Sequence, residues 1–197
     1  MPVQPYILPK SSETPPGGLT VTQFIQAVLV GISGLPGEMV RPKWQIKPPK
    51  NPPAVTENWL AFGIDLTTPD NNAYLGSRDG GLTIDSQRQE AMDVSVSIYG
   101  PDALEIYGVI RDGIQIPQNQ QALATAEMVF VEILAARRIP DLVNEQFYNR
   151  VETGIILRRQ VNRIYAVPTI LSATGVIQTM LGSEEYSLDW EVENEET

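Results

Sequence analysis

"EAMDVSVSIYG", residues 90–100, sets apolar Met92, Val94, Val96 and Ile98 against Asp93, Ser95 and Ser97 in strict alternation. Successive side chains of a strand point to opposite faces, so this period of two predicts an antiparallel strand with one face in a core and the other toward solvent. On its N-terminal side, "NWLAFGIDLTTP" (58–69) has the same period: Leu60, Phe62, Ile64 and Leu66 are expected on one face, Trp59, Ala61, Gly63 and Asp65 on the other. The polar, glycine-bearing "DNNAYLGSRDGG" (70–81) is expected to join them as a loop.

On the C-terminal side, "PDALEIYGVIRDGI" (101–114) predicts a helix with Pro101 in its first turn, and "NQQALATAE" (119–127) a further helical turn or two. Strand resumes in "MVFVEILAARRIP" (128–140). A long strand is expected in "VETGIILRRQVNRIYAV" (151–167), with "GVIQTML" (175–181) beside it. Before all of these, Val21, Phe24, Ile25, Val28, Leu29 and Ile32 recur at the spacing of one helical face. Thr20 with Gln23 makes a capping-box pattern, and Gly34 and Pro36 supply the stop. The order of elements predicts an α+β fold: an antiparallel or mixed β-sheet with two to three helices packed on it.

Three segments flank or interrupt that core. Residues 1–18 hold five prolines and no periodicity, which predicts an extended arm, either docked on a neighbour or disordered. Residues 19–182 are expected to be a single domain, since this length buries enough surface to fold alone. Residues 183–197 carry seven acids and no base, which predicts an acidic, disordered tail in preference to a calcium loop. Within the domain, "VRPKWQIKPPKNPPAVTENWLAFGI" (40–64) concentrates four of the fourteen basic residues and five of the sixteen prolines. "MVRPKW" (39–44) suits a short edge strand, because Pro42 lacks a ladder donor, and "KPPKNPP" (47–53) is forced into polyproline-like extension.

Composition excludes several function classes. With no Cys and no His, the chain has no thiol nucleophile, no disulfide, no zinc site of the usual ligand sets and no imidazole for proton transfer. "YLGSRDGG" (74–81) lacks the Gly-Lys-Ser/Thr ending of a phosphate loop. No apolar run approaches the roughly 20 residues that cross a bilayer, and "MPVQPYILPK" (1–10) has no signal-peptide design, so neither a membrane-spanning nor an exported chain is expected. Formal charge is −10, a poor balance for gripping duplex DNA. Asp65, Glu90 and Asp93 are the only candidate carboxylates for a small hydrolase, and chance proximity among 24 acids is the better reading. No catalytic, cofactor-binding or metal-binding residue is assigned.

Several ordered blocks, "SGLPGEMVRPKWQ", "PPKNPP", "NWLAFGI", "EAMDVSVSIYGPDA", "IRDGIQIPQNQQAL", "RIPDLVNEQF" and "LRRQVNRIYAV", resemble the neck or tail terminator proteins of long-tailed, contractile bacteriophages over roughly residues 20–175. The resemblance implies a virion protein of the head-tail junction, made in the host cytoplasm. It would assemble as a ring, typically of six subunits, on the last layer of the tail tube and present a surface to a head-side connector or collar protein, with the sheath as a further contact. It implies no cofactor and no bond-making chemistry. A head-completion stopper and a tube protein are the nearest alternatives. Under this reading Arg41, Lys43, Trp44, Lys47 and Lys50, in a stiff segment that loses little entropy on docking, are interface candidates. Arg137, Arg138, Arg158, Arg159 and Arg163 join them, because arginine forks suit carboxylates across a boundary; the alternative reading of these five is as solvent-facing sheet residues. Six copies carry about −60 formal charges, so a lumen lined by some of them lets DNA pass without tight binding.

Overall fold

A computed structural model of the chain describes residues 7–12, 19–45, 53–78, 83–143, 145–166, 172–181 and 184–193, the last two segments as backbone. The predicted α+β class holds. The central strands are β5 (Thr83–Tyr99) and β10 (Arg150–Ala166), antiparallel to each other along their whole length, Arg150 opposite Tyr99 and Ala166 opposite Thr83. β3 (Trp59–Pro69) pairs antiparallel with β5, and β2 (Val40–Pro42) closes that side as the short proline-bearing edge strand, parallel to β3. β1 (Pro9–Ser12), β4 (Tyr74–Arg78), β6 (Met128–Ile133) and β7 (Arg137–Arg138) complete an eight-stranded sheet, β4 beside β5 and the other three along the far edge of β10. A small hairpin, β8 (Asp141–Val143) with β9 (Gln146–Tyr148), lies between β7 and β10 in sequence.

One face of the sheet carries α1 (Val21–Ser33), α2 (Ala103–Gly113) and α3 (Pro117–Ala124). Met92, Val94, Val96 and Ile98 of β5 are all buried there with Leu60, Phe62, Ile155 and Leu157, against Phe24, Ile25 and Leu29 of α1, Ile106 and Ile110 of α2, and Leu123 of α3. The alternation that predicted a half-buried strand therefore faces a helical layer. α1 begins as expected: the Thr20 side chain accepts from the Gln23 N–H at 3.2 Å, and Thr20 N–H donates to Gln23 Oε1 at 2.8 Å, satisfying two donors that the first turn leaves open. Gly34 ends it in the left-handed conformation, φ 70°.

Four expectations change. In β3 a bulge between Ile64 and Leu66 inserts Asp65 into the ladder, so Ile64 faces Val94 while Leu66 faces Asp93. The extra residue flips the alternation, and Leu66 is on the outer face, 54 % exposed. The expected loop contains strand β4, Tyr74–Arg78, which pairs with Thr83–Gln87. β11 (Ser172–Leu181) does not lie beside β10; it pairs with β12 (Glu184–Glu193), so the acidic segment forms a strand over those residues instead of remaining unstructured. Part of the N-terminal arm, β1, docks on its own chain, opposite Arg163–Tyr165.

Candidate subunit interface

The helix-free face of the sheet is where charge collects. The bulge that exposes Leu66 also turns Asp65 toward Ser95. Lys43 Nζ donates to Ser95 Oγ at 2.8 Å, and Ser95 Oγ donates to Asp65 Oδ1 at 2.9 Å, linking β5 and β3 with the residue that follows β2. Burial holds the Lys43 ammonium below its ordinary value, against the pull of Asp65 and Glu152. Beside this chain opens a cleft of about 580 Å³, lined by Asp65, Asp93, Ser95, Leu134, Arg137 and Glu152 among others. Leu134 is fixed over it by backbone and side-chain bonds: its N–H donates to Gly154 O at 2.8 Å, and its carbonyl accepts from Thr153 Oγ1 at 2.7 Å and Tyr107 Oη at 3.2 Å.

The end of the same face is an aromatic and ionic corner. Trp59 and Tyr99 are direct cross-strand partners, and their rings stack at 4.1 Å with an interplanar angle of 6°. Arg41 covers the Trp59 ring at 5.8 Å and donates through Nε to Glu38 O at 2.8 Å. Arg150 bridges Asp141 at 2.5 Å and Glu152 at 3.0 Å. Burial opposes the Arg150 charge, but Glu152, Tyr99 and Asp141 outweigh it and the group is held more firmly protonated than usual. Burial also pushes the Tyr99 phenol up. The Nε1 of Trp59 and the Nε of Arg150 are buried without an acceptor among the described residues.

The structure separates the sequence candidates into groups. Arg41 and Lys43 belong to the β2 end and make the bonds given above within their own chain. Trp44 is 72 % exposed and lies over Gly63, where an added Cβ would come 2.5 Å from Trp44 Cζ3; only glycine leaves room for that ring. Lys47 and Lys50 lie outside the described residues. Arg137, Arg138 and Arg158 are exposed along β7 and β10. Arg159 is on the helix-bearing face and donates to Glu90 Oε2 from Nε at 3.0 Å and Nη2 at 2.8 Å, a half-buried pair within one chain. Arg163 stands opposite Ser86 and Ser12 in the ladder. Of the three carboxylates weighed for acid and base work, Asp65 and Asp93 share the cleft, while Glu90 is engaged by Arg159 on the other side of the sheet. Among the described residues no group of three or more acids is arranged to hold a metal ion, and no helix is long and apolar enough to cross a membrane.

Sequence reasoning missed the Trp59–Tyr99–Arg150 corner and the apolar edge of β6, where Val129 is 62 % and Val131 48 % exposed. Both depend on strand register. In "MVFVEI" only Glu132 is polar, so the sequence carries no alternation that separates outward from inward positions of β6.

Comparison with curated proteins gave no match. A family model described as phage neck terminator protein matches residues 19–180, from the N-terminal approach of α1 to the penultimate residue of β11, leaving out β1 and β12. With most of its length matched, the chain belongs to the phage neck terminator protein family and is a structural component of the phage neck.

Proposed function

We propose that the chain is the subunit of a ring, six copies in circumference, that caps the tail tube at its head-side end, stops tube growth and offers an unlike face to the head-side connector or collar. The family match over residues 19–180 carries this reading. The surface supports it. Exposed Trp44, Arg137 and Arg158 and the charged cleft lie on the face of the sheet away from the helices, so the open side is the one left for partners. Residues 19–182 act as the ring domain. The segment 41–53, with Lys47 and Lys50, joins the subunit boundary, and the sheath is a further contact. Assembly takes place in the host cytoplasm.

The protein works by shape and makes or breaks no bonds. Asp65, Asp93 and Glu90 do not come together as an acid and base set, and Asp65 is already bonded by Ser95. The test is to mix the purified protein with tail tubes and examine them by electron microscopy. Density at one end only of each tube, with tube length fixed from then on, is expected. Binding along the tube wall, or polymerisation of the protein into tubes of its own, would overturn the assignment and favour a tube protein.

A further inference from the structure

Two acids on the helix-free face of the sheet stand in line across the strands. Asp93 of β5 and Glu132 of β6 are both opposite Ile156 of β10, one on either side of it. Their neighbours in sequence set the face: Val94 and Ile133 turn into the core, so Asp93 and Glu132 point away from the helices, and both are exposed. Two strand spacings of about 4.8 Å put the acid positions about 10 Å apart, with half-buried Ile156 between them. Among the described residues neither acid makes a hydrogen bond or an ion pair. Arg158 follows Ile156 on the same face of β10 and bonds to neither.

Two carboxylates held at a fixed spacing on a sheet suit two cations held at the same spacing. The chain carries a matching pair. Lys47 and Lys50 lie outside the described residues, but Pro48 and Pro49 separate them, and the sequence predicts polyproline-like extension for this stretch. With three residues per turn and about 3.1 Å per residue, such a segment puts positions three apart on one side, about 9 Å from each other. The lysines therefore match the acids in sign and in spacing, and Ile156 offers an apolar floor to the lysine stems and the prolines between them.

In its own chain the segment starts after Gln45 and has to come back to Ala54, whose turn with Glu57 packs against Gly100. Gly100 is seven residues, or about 24 Å, along β5 from Asp93. The return draws the segment along the strands, whereas the two acids are set across them. The segment of a neighbouring copy is under no such constraint. We infer that Lys47 and Lys50 of one copy bind Asp93 and Glu132 of the next, with Pro48 and Pro49 over Ile156. A stiff segment loses little entropy on docking, so the prolines serve the contact as well as the charges do. The inference rests on the proposal that residues 41–53 join the subunit boundary, and it names the surface they meet there.

The chain has no cysteine, which makes a clean cross-linking test possible. Full-length Asn51→Cys protein is mixed with a larger, fusion-tagged Ile156→Cys protein in the presence of tail tubes and treated with a short bis-maleimide. Ile156 is midway between the acids, so either direction of the segment brings Asn51 within reach. A product with the summed mass of the two chains is expected. Lys47→Gln with Lys50→Gln in the first chain should lower its yield about two- to thirtyfold, the range for two surface ion pairs. Lys47→Glu with Lys50→Glu should lower it further, and Asp93→Lys with Glu132→Lys in the tagged chain should then restore it. No cross-linked product, a yield indifferent to the lysines, or cross-linking confined within a chain carrying both cysteines would overturn the contact. Tube-end binding is scored in parallel. If it is present and the product absent, this contact fails alone; a product without tube-end binding keeps the contact and counts against the terminator reading.

Discussion

The corner between β5 and α2 offers a demanding test of the fold, because two glycines eight residues apart should respond to the same substitution with opposite signs. Gly100 sits at φ 113°, where L side chains are strained, and a Cβ there would strike the Asn58 side-chain oxygen and approach Glu57 O to 2.6 Å and Asn58 Cα to 2.8 Å. The last two are backbone atoms and cannot step aside. They are also held: Asn58 Nδ2 donates to Asp102 Oδ2 at 2.8 Å, Asp102 N–H to Asn58 Oδ1 at 3.1 Å, and Gly100 N–H to Asn149 O at 3.1 Å. Backbone strain of about 1–3 kcal/mol and overpacking of about 1–3 kcal/mol place Gly100→Ala near 3 kcal/mol destabilising. At about 2–4 °C per kcal/mol for a chain of this size, the melting temperature should fall by about 6–12 °C. Gly108 is inside α2 with no atom within 4 Å of the position a Cβ would take, so Gly108→Ala should stabilise by about 0.5–1 kcal/mol. Thermal unfolding followed by circular dichroism, at one protein concentration because assembly shifts apparent stability, measures both. A Gly100→Ala protein melting within 2 °C of the parent, or both variants moving the same way, would refute the geometry of this corner.

Alkaline stability should separate Lys43 from Tyr99. Lys43 is depressed below its ordinary 10.5, so between the depressed value and 10.5 the unfolded chain holds more protons and this group's contribution rises with pH; Tyr99 is raised above 10.0, so its contribution falls as pH climbs past 10.0. In urea titrations between pH 8 and 11, Lys43→Met should lose ground against the parent with rising pH and Tyr99→Phe should gain above pH 10; parallel curves would contradict both assignments. The purified protein should bind duplex DNA weakly even at low salt, given a formal charge of −10 per chain, and tight retention on a filter would argue against the proposed DNA-repelling lumen.

What could be read from the sequence was local, and what could not was register. The capping of α1 by Thr20 and Gln23 involves residues three apart, and the core face of β5 needs only its own alternation. Leu66 was misplaced because a bulge belongs to two strands, and nothing in β3 alone announces that Asp65 is the inserted residue. Strand β4 was hidden by Gly76 and its polar neighbours, which look like loop residues until Thr83–Gln87 supply a ladder. The arginines show the same limit for the interface. Arg159 looks like Arg158 in sequence, yet a single step along β10 turns it to the other face and into the pair with Glu90. The acids of residues 183–197 obscured a period-two row, Tyr186, Leu188, Trp190 and Val192, that suits a strand better than a solvated tail.

The central claim is that copies of this chain close a circle where tail meets head, and a cryo-electron reconstruction of the intact virion tests it most directly. The account predicts a ring of six copies on the last layer of the tube, between tube and connector. Density for this chain anywhere else in the particle, or as isolated single copies, would contradict it.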